Sequence, residues 1–180
     1  MKSLCAFLIV SLMVIISGCF YPRIDGKVID GATGQPLESA IVVAQWRKTR
    51  GIPGLQYSDM HKSVETLTDK AGKFALSGAF AFLLEPPRML IYKAGYIPWR
   101  NDSVFPGGHL SKDNEWNNGE IYRLDSLSEI YTYRQLNFFM SYGIKVSGGR
   151  ETPLFDDVMQ DISKQEIIEF YKNKKDKNVN

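Results

Sequence analysis

The sequence predicts a mainly β protein, a β-sandwich followed by a C-terminal α-helical segment. Three observations predict this architecture. Up to residue 125, short runs rich in β-branched residues alternate with clusters of Gly, Pro, Asn and Asp, which is typical of an all-β sandwich. From Ser126 onward the apolar residues change to helical spacing. The first 18 residues differ from both parts and have the composition of a cleaved signal peptide.

The N-terminal segment has the three parts of a secretory signal. Lys2 supplies a positive charge, and residues 4–16 form an apolar run interrupted by a single serine. This run is shorter than the roughly 20 residues that a helix needs to cross a bilayer, and it suits the apolar region of a signal peptide. Two small residues follow, so we expect cleavage between Gly18 and Cys19.

The motif "ISGC" at residues 16–19 resembles a bacterial lipobox, in which an aliphatic residue and two small residues precede a cysteine. The resemblance implies diacylglycerol on the Cys19 thiol and a further acyl chain, such as palmitate, on the new amino group. Two or more chains give stable membrane anchoring where one does not. Phe20 stands where an aspartate marks inner-membrane retention in many lipoproteins, so we expect the outer membrane, facing the periplasm or the cell surface.

The body of the mature chain divides into short strands and turn-rich loops. The expected strands are residues 23–30, Ala40 to Trp46, residues 63–68 and 74–78 as a hairpin about a turn at 69–73, Met89 to Lys93, and Glu120 to Leu124. Two long polar loops, residues 47–62 and 101–119, are expected between them.

The C-terminal segment is expected to contain two helices. Asp125 or Ser126 could cap the start of the first helix, and Glu129 completes a capping-box pattern with Ser126. Pro153 suits the first turn of the second helix. Ser163 and Glu166 repeat the capping pattern, so a break in the second helix is expected there.

Three motifs occur in order in the body: "GKVIDGATGQPLESAIVVA", "TLTDKAGKFAL" and "LIYKAGYIP". Together they are similar to the carboxypeptidase regulatory-like domain, a transthyretin-like (prealbumin-like) β-sandwich of about seven strands. The matching residues are Gly26, Val28, Asp30, Thr33, Gly34, Pro36, Leu37, Ala40, Val42, Thr68, Asp69, Gly72, Phe74, Gly95 and Tyr96. The resemblance implies a seven-stranded sandwich with an accessory role. It names a fold and no reaction, because none of the matching residues is a catalytic group.

Composition and charge exclude some functions. The chain has 44% hydrophobic residues, enough to bury a core, which excludes wholesale disorder. Its 22 basic and 20 acidic residues give a net charge of +2, so no strong field recruits nucleic acid. The mature chain keeps no cysteine besides Cys19, since Cys5 leaves with the signal, and thiol chemistry is not expected.

An enzyme remains the alternative interpretation. His61 and His109, both expected in loops, could join Asp59 or Asp113 in a metal site of a small envelope hydrolase or metal-dependent enzyme. Intradiol dioxygenases have a similar sandwich but bind iron through two Tyr and two His. The spacing of the Tyr and His residues in this chain does not support such a site. Exposed loop histidines are the simpler interpretation, so we expect no catalytic residue, metal or cofactor.

Four aromatic residues are the candidates for ligand binding: Trp46, Tyr57, Trp99 and Trp116, expected at strand edges or in loops. Exposed aromatic side chains stack on glycans or fill pockets of partner proteins. We therefore expect a non-enzymatic binding or structural module with an envelope protein or a glycan as partner, its oligomeric state open. The expected boundaries are 1–18 signal peptide, 19–23 tether, 24–125 β-sandwich, 126–173 helical appendage and 174–180 charged tail.

Overall fold

The computed structural model of the protein describes residues 20–21, 23–52, 54–80, 84–107, 116–142, 144 and 152–177. The predicted signal peptide and Cys19 lie outside these residues. The strands are β1 (Phe20–Tyr21), β2 (Ile24–Asp30), β3 (Ile41–Ile52), β4 (Leu55–Leu67), β5 (Lys73–Leu76), β6 (Ala79–Phe80), β7 (Arg88–Tyr92), β8 (Trp99–Arg100) and β9 (Glu120–Leu124). The helices are α1 (Tyr133–Ser141) and α2 (Pro153–Lys177).

Two sheets face each other across a hydrophobic core and form a β-sandwich. One sheet has the order β5-β2-β9 and the other β4-β3-β7-β8, while β1 pairs separately with β6. The core between the sheets takes Val28 and Leu124 from the first sheet and Val42 and Ile91 from the second. Packing requires glycine at position 26, because a Cβ there would lie 2.8 Å from the ring of Tyr122. The mainly β architecture predicted from the sequence is therefore confirmed.

The helices form a third layer on the outer face of the larger sheet. Ile41 and Val43 of β3 contact this layer, whereas Val42 and Ala44 point into the sandwich. A strand covered on both faces needs apolar residues at successive positions, which explains the run "IVVA". Phe155 of α2 is fully buried in the outer core between helices and sheet.

The expected polar loop at residues 47–62 is wrong, because these residues form a long β-hairpin. β3 and β4 pair without interruption from Arg47↔Met60 to Ile52↔Leu55. A register shift separates Arg47 from Trp46 and leaves His61 as an extra residue in β4. This bulge marks where the hairpin departs from the sheet. We call residues 47–60 the arm.

The expected hairpin at residues 63–78 is also wrong, although its turn is where the sequence places it. The Asp69 carboxylate accepts hydrogen bonds from the N–H groups of Ala71 and Lys73, at 2.9 and 2.8 Å. Gly72 has a φ of +74°, which favours glycine. The turn connects the two sheets, because β4 pairs with β3 and β5 pairs with β2.

The first helix begins later than its expected start at Ser126. Its N-cap is Thr132, which forms a capping box with Gln135. Ser126 instead forms a β-bridge with Tyr96. The Ser126 pattern therefore lies in a segment that still belongs to the sandwich.

The second helix starts at Pro153 as predicted but runs unbroken to Lys177. Ser163 is not a cap, because its hydroxyl donates to the carbonyl of Met159 within the helix, at 2.8 Å. Residues 174–177 of the expected charged tail belong to the helix, and residues 178–180 lie outside the described part. Neither described helix is apolar enough over a sufficient length to cross a membrane.

Candidate functional site

Trp46 lies in the core and is not a surface aromatic. Its side chain has 0% exposure and packs among the residues between the two sheets. The Lys62 ammonium lies 5.9 Å from the centre of its ring. The expectation that Trp46 could contact a ligand is therefore wrong, because β3 places it on the inner face just before the bulge.

Trp99 and Trp116 are half-buried and pack against the same core. The Trp99 ring meets Tyr122 edge-on, with ring centres 4.7 Å apart. Burial raises the pKa of Tyr122 to about 12, so this phenol is neutral at physiological pH. Tyr57 lies apart from all of these on the arm, so the four aromatic residues do not form one platform.

The predicted metal ligands do not come together in the described residues. His61 is in β4 and not in a loop, and it is exposed at the bulge. Asp59 pairs with Arg50 at 3.3 Å. His109 and Asp113 lie outside the described part of the chain. Within the described ranges, no three His, Cys, Asp or Glu side chains are grouped as metal ligands.

The arm presents three strongly exposed apolar residues on one short ribbon. Ile52, Leu55 and Tyr57 are 65%, 75% and 61% exposed. Residues directly opposite in an antiparallel pair share a face, and faces alternate along the strands. The pairs Ile52↔Leu55 and Arg50↔Tyr57 therefore place all three side chains on one face of the arm.

The opposite face of the arm is tied to the sandwich. Arg47 donates from Nε to Ser58 Oγ at 2.8 Å, and Ser58 donates to the Glu85 carboxylate at 2.6 Å. Thr49 donates to the same Glu85 oxygen at 3.1 Å. These bonds fix the direction of the arm and leave its apolar face uncovered.

Sequence reasoning missed the arm because its residues show no apolar alternation. A β-hairpin that lies outside the core does not need apolar and polar residues to alternate along its strands. The available signal was "GIPGL", a stretch of turn-forming residues between Ile52 and Leu55, which pair with each other.

A second exposed apolar surface lies at the end of α2. Ile167, Ile168, Phe170 and Tyr171 are all exposed there. A cleft of about 610 Å³ lies between these residues and the start of α1, where Arg134 contributes to its wall. Glu169 of α2 accepts a hydrogen bond from the N–H of Tyr133 at 3.0 Å, which joins the two helices beside the cleft.

Asp30 and Tyr96 connect two of the motifs that the sequence singled out. The Asp30 carboxylate accepts from the N–H of Thr33 at 2.7 Å and from the Tyr96 hydroxyl at 2.8 Å. The Thr33 N–H, followed by the Tyr96 hydroxyl, lowers the pKa of Asp30. The bond to Asp30 in turn raises the pKa of Tyr96.

The Asp30 carboxylate should make the free energy of unfolding depend on pH in the acid range. A lowered folded-state pKa means that Asp30 stabilises the fold fully above its ordinary pKa of 3.8 and loses that effect as pH falls through the folded value. The measurement is the free energy of urea unfolding of the protein and of Asp30→Asn, each determined at about pH 7 and about pH 3. We expect the variant to be less stable near neutrality and to lose less stability on acidification. Equal pH dependence of the two proteins would contradict this role.

No protein-family model and no curated protein matches the chain. Solved structures similar to it include a Streptococcal ancillary pilin, with 14% identity, a TM-score of 0.32, and coverage of 62% of this chain and 31% of the pilin. A 3-chlorocatechol 1,2-dioxygenase from Rhodococcus opacus 1CP has 16% identity, a TM-score of 0.37 and 61% coverage of each chain.

A catechol 1,2-dioxygenase from Pseudomonas arvilla C-1 has 14% identity and a TM-score of 0.38, with coverage of 62% of this chain and 54% of the enzyme. The chain therefore spans less than two thirds of each of these proteins. Similarity at this level carries no inference about what the chain does.

Proposed function

We propose that this protein is a lipid-anchored cell-envelope protein whose β-sandwich is a non-enzymatic binding or structural accessory module. The observation that carries the proposal is the motif "ISGC", placed directly after a basic residue and an apolar run of signal-peptide length. Cleavage before Cys19 would make that residue the N-terminus of the mature protein. The aspartate of inner-membrane retention is absent, which supports placement in the outer membrane.

The geometry supports this anchoring. β1 starts at Phe20, the residue after Cys19, and pairs with β6. The first long strand, β2, starts at Ile24. A lipid on Cys19 would thus lie next to a strand that is paired with β6, and about five residues, at most roughly 17 Å, from the start of β2. Such a tether keeps the sandwich next to the membrane surface.

The sandwich is, in this proposal, a carboxypeptidase regulatory-like domain of transthyretin-like fold. The hydrogen bond between Asp30 and Tyr96 supports this, because it joins the first and last motifs of the resemblance. The turn at Asp69 and Gly72, which comes from the middle motif, supports it as well. These residues hold turns and packing contacts, in keeping with an accessory role.

The ligand class that we propose is a glycan or an envelope protein, bound without covalent chemistry. Tyr57 supports this, because it is the one exposed residue among the four aromatic candidates and it lies next to two other exposed apolar residues. Aromatic side chains in such positions provide contact area at low entropic cost.

The anchor is tested by expressing the full chain in a Gram-negative bacterium fed radioactive palmitate. We expect a labelled mature protein that starts at residue 19 and fractionates with membranes. Cys19→Ala should abolish the label, whereas the matched variant Cys5→Ala should retain it, because Cys5 leaves with the signal. An unlabelled mature protein of unmodified mass would refute lipidation.

The accessory role is tested by affinity isolation of the anchored protein from detergent-solubilised envelopes. We expect a co-purifying protein or glycan that is reduced by Tyr57→Ala and retained by Tyr142→Ala, an equally exposed tyrosine on the helical layer. Retention of the same species by both variants would argue against binding through the arm.

A further inference from the structure

The base of the arm lies close to β1, the strand that directly follows Cys19 in the sequence. The Lys62 ammonium, beside the bulge at the base of the arm, donates to the carbonyl of Gly78 at 2.6 Å. Gly78 directly precedes β6, which pairs with β1 and thereby with the residue that follows Cys19. The chain that leads to the lipid therefore starts next to the base of the arm.

The arm is long enough to cover the distance that the tether allows. Its six residue pairs, from Arg47↔Met60 to Ile52↔Leu55, extend about 20 Å at roughly 3.3 Å per residue. The segment from Cys19 to Ile24 spans at most about 17 Å, and its freedom is reduced further because Phe20 and Tyr21 pair with β6. The arm is therefore longer than the tether, which lets its tip reach the surface that holds the lipid.

The chemistry along the apolar face of the arm is graded from tip to base. Ile52 and Leu55 form the tip pair. The next pair on this face joins Arg50 to Tyr57, about 7 Å further back, and the one after it contains Lys48. From tip to base, the arm thus presents apolar side chains first and a tyrosine with basic residues second. Membrane-bound proteins place the same groups in this order from the bilayer interior to the headgroups.

The charge of the arm suits an anionic surface. The apolar face of the arm carries Lys48 and Arg50 against Asp59, which gives that face a net charge of +1, whereas Arg47 lies on the opposite face. The ion pair between Arg50 and Asp59 balances those two charges and leaves the positive charge of Lys48 on this face. On the other face Thr49 and Ser58 donate to Glu85 and Arg47 donates to Ser58, so the arm reaches the surface without further ordering.

We infer that the tip pair of the arm, Ile52 with Leu55, inserts into the headgroup region of the membrane that holds the lipid on Cys19, while Tyr57 stays behind the inserted pair at the membrane surface. The occupant is an anionic lipid surface, contacted by the apolar tip and by Lys48 and Arg50 behind it. The inference rests on the proposed lipid anchor. It adds a second point of contact, which fixes the orientation of the sandwich relative to the membrane.

The test uses the lipidated full-length protein in vesicles of phosphatidylethanolamine and phosphatidylglycerol. Leu55→Cys is labelled with a polarity-sensitive nitrobenzoxadiazole fluorophore. Leu67→Cys is the matched control, because Leu67 is also exposed and lies at the opposite end of β4, about 40 Å away. The introduced thiol is the reactive one in the mature chain once Cys19 carries lipid.

The inference predicts a blue shift at position 55 and quenching by doxyl-labelled lipid, with neither effect at position 67. Lack of quenching at both positions in protein that carries the lipid mass would overturn the arm contact and leave the anchor standing. Equal quenching at both would also overturn it, since the protein would then lie flat. A mature chain without lipid mass on Cys19 would remove the anchor and this inference together.

Quenching in cell envelopes but not in the lipid vesicles would show that the arm contacts a protein, and it would overturn the lipid assignment. Both substituted positions are exposed, so we expect both variants to unfold at the same urea midpoint as the parent protein. The comparison therefore reports contact with the membrane and not loss of the fold.

Discussion

Replacing Arg100 by methionine is expected to lower the free energy of unfolding by about 3 kcal/mol. Arg100 is 1% exposed, and its Nε and Nη2 each donate to the Asp102 carboxylate at 2.9 Å. Its Nη1 donates to the carbonyl of Phe139 in α1 at 2.6 Å. Burial lowers the pKa of Arg100, and the Asp102 charge opposes this shift. The methionine would fill much of the volume but leave the carboxylate and the carbonyl without this partner.

Urea unfolding followed by circular dichroism measures this effect. Arg123→Met is the matched control, because Arg123 is exposed on β9 and its loss should cost at most about 0.5 kcal/mol. Combining Arg100→Met with Asp102→Asn should cost less than the sum of the single changes, by about 1–3 kcal/mol, because the double change removes both charges. Additive losses would show that the pair is not coupled.

Replacing Phe155 by alanine is expected to lower the free energy of unfolding by about 4 kcal/mol. The ring is fully buried between α2 and the outer face of the larger sheet. Its removal leaves a cavity in the contact that holds the helical layer against β3 and β7. Urea unfolding monitored at helical and at aromatic wavelengths is the measurement, because it separates loss of the layer from loss of the sandwich.

The matched control is Phe170→Ala, the same change in the same helix at a residue that is 62% exposed. We expect that variant to stay within about 0.5 kcal/mol of the parent protein. If Phe155→Ala were equally mild, α2 would not be held by this contact. Separate helical and aromatic transitions in the variant would show that the helical layer unfolds independently.

Some elements could be predicted from the sequence because each has a local cause. β9 spans Glu120–Leu124, as the short β-rich run between Gly119 and Asp125 predicts. The start of α2 at Pro153 follows from the preference of proline for the first helical turn. The turn at Asp69 was located correctly, because its hydrogen bonds are made within five residues.

Other features depend on contacts between distant residues, and local patterns cannot choose among them. Both Ser126 and Thr132 are followed three residues later by Glu or Gln, and either pattern permits a cap. The bridge from Ser126 to Tyr96, 30 residues earlier, decides between them. The sequence predicts a surface position for Trp46, because local patterns do not show that the opposite sheet covers it. The burial of Arg100 could not be predicted, because it depends on the Phe139 carbonyl of a separate helix, although its other partner Asp102 is only two residues away.

The uninterrupted course of β4 has a structural consequence. Leu55 at one end of the strand is part of the tip of the arm, and ten residues further on Glu65 accepts hydrogen bonds from the N–H groups of Leu154 and Phe155, at 2.7 and 2.9 Å. The tip of the arm and the first turn of α2 are therefore connected through one strand and one carboxylate. The bulge at His61 bends this strand between the two. The sandwich, the arm and the helical layer thus share β4 as a common element.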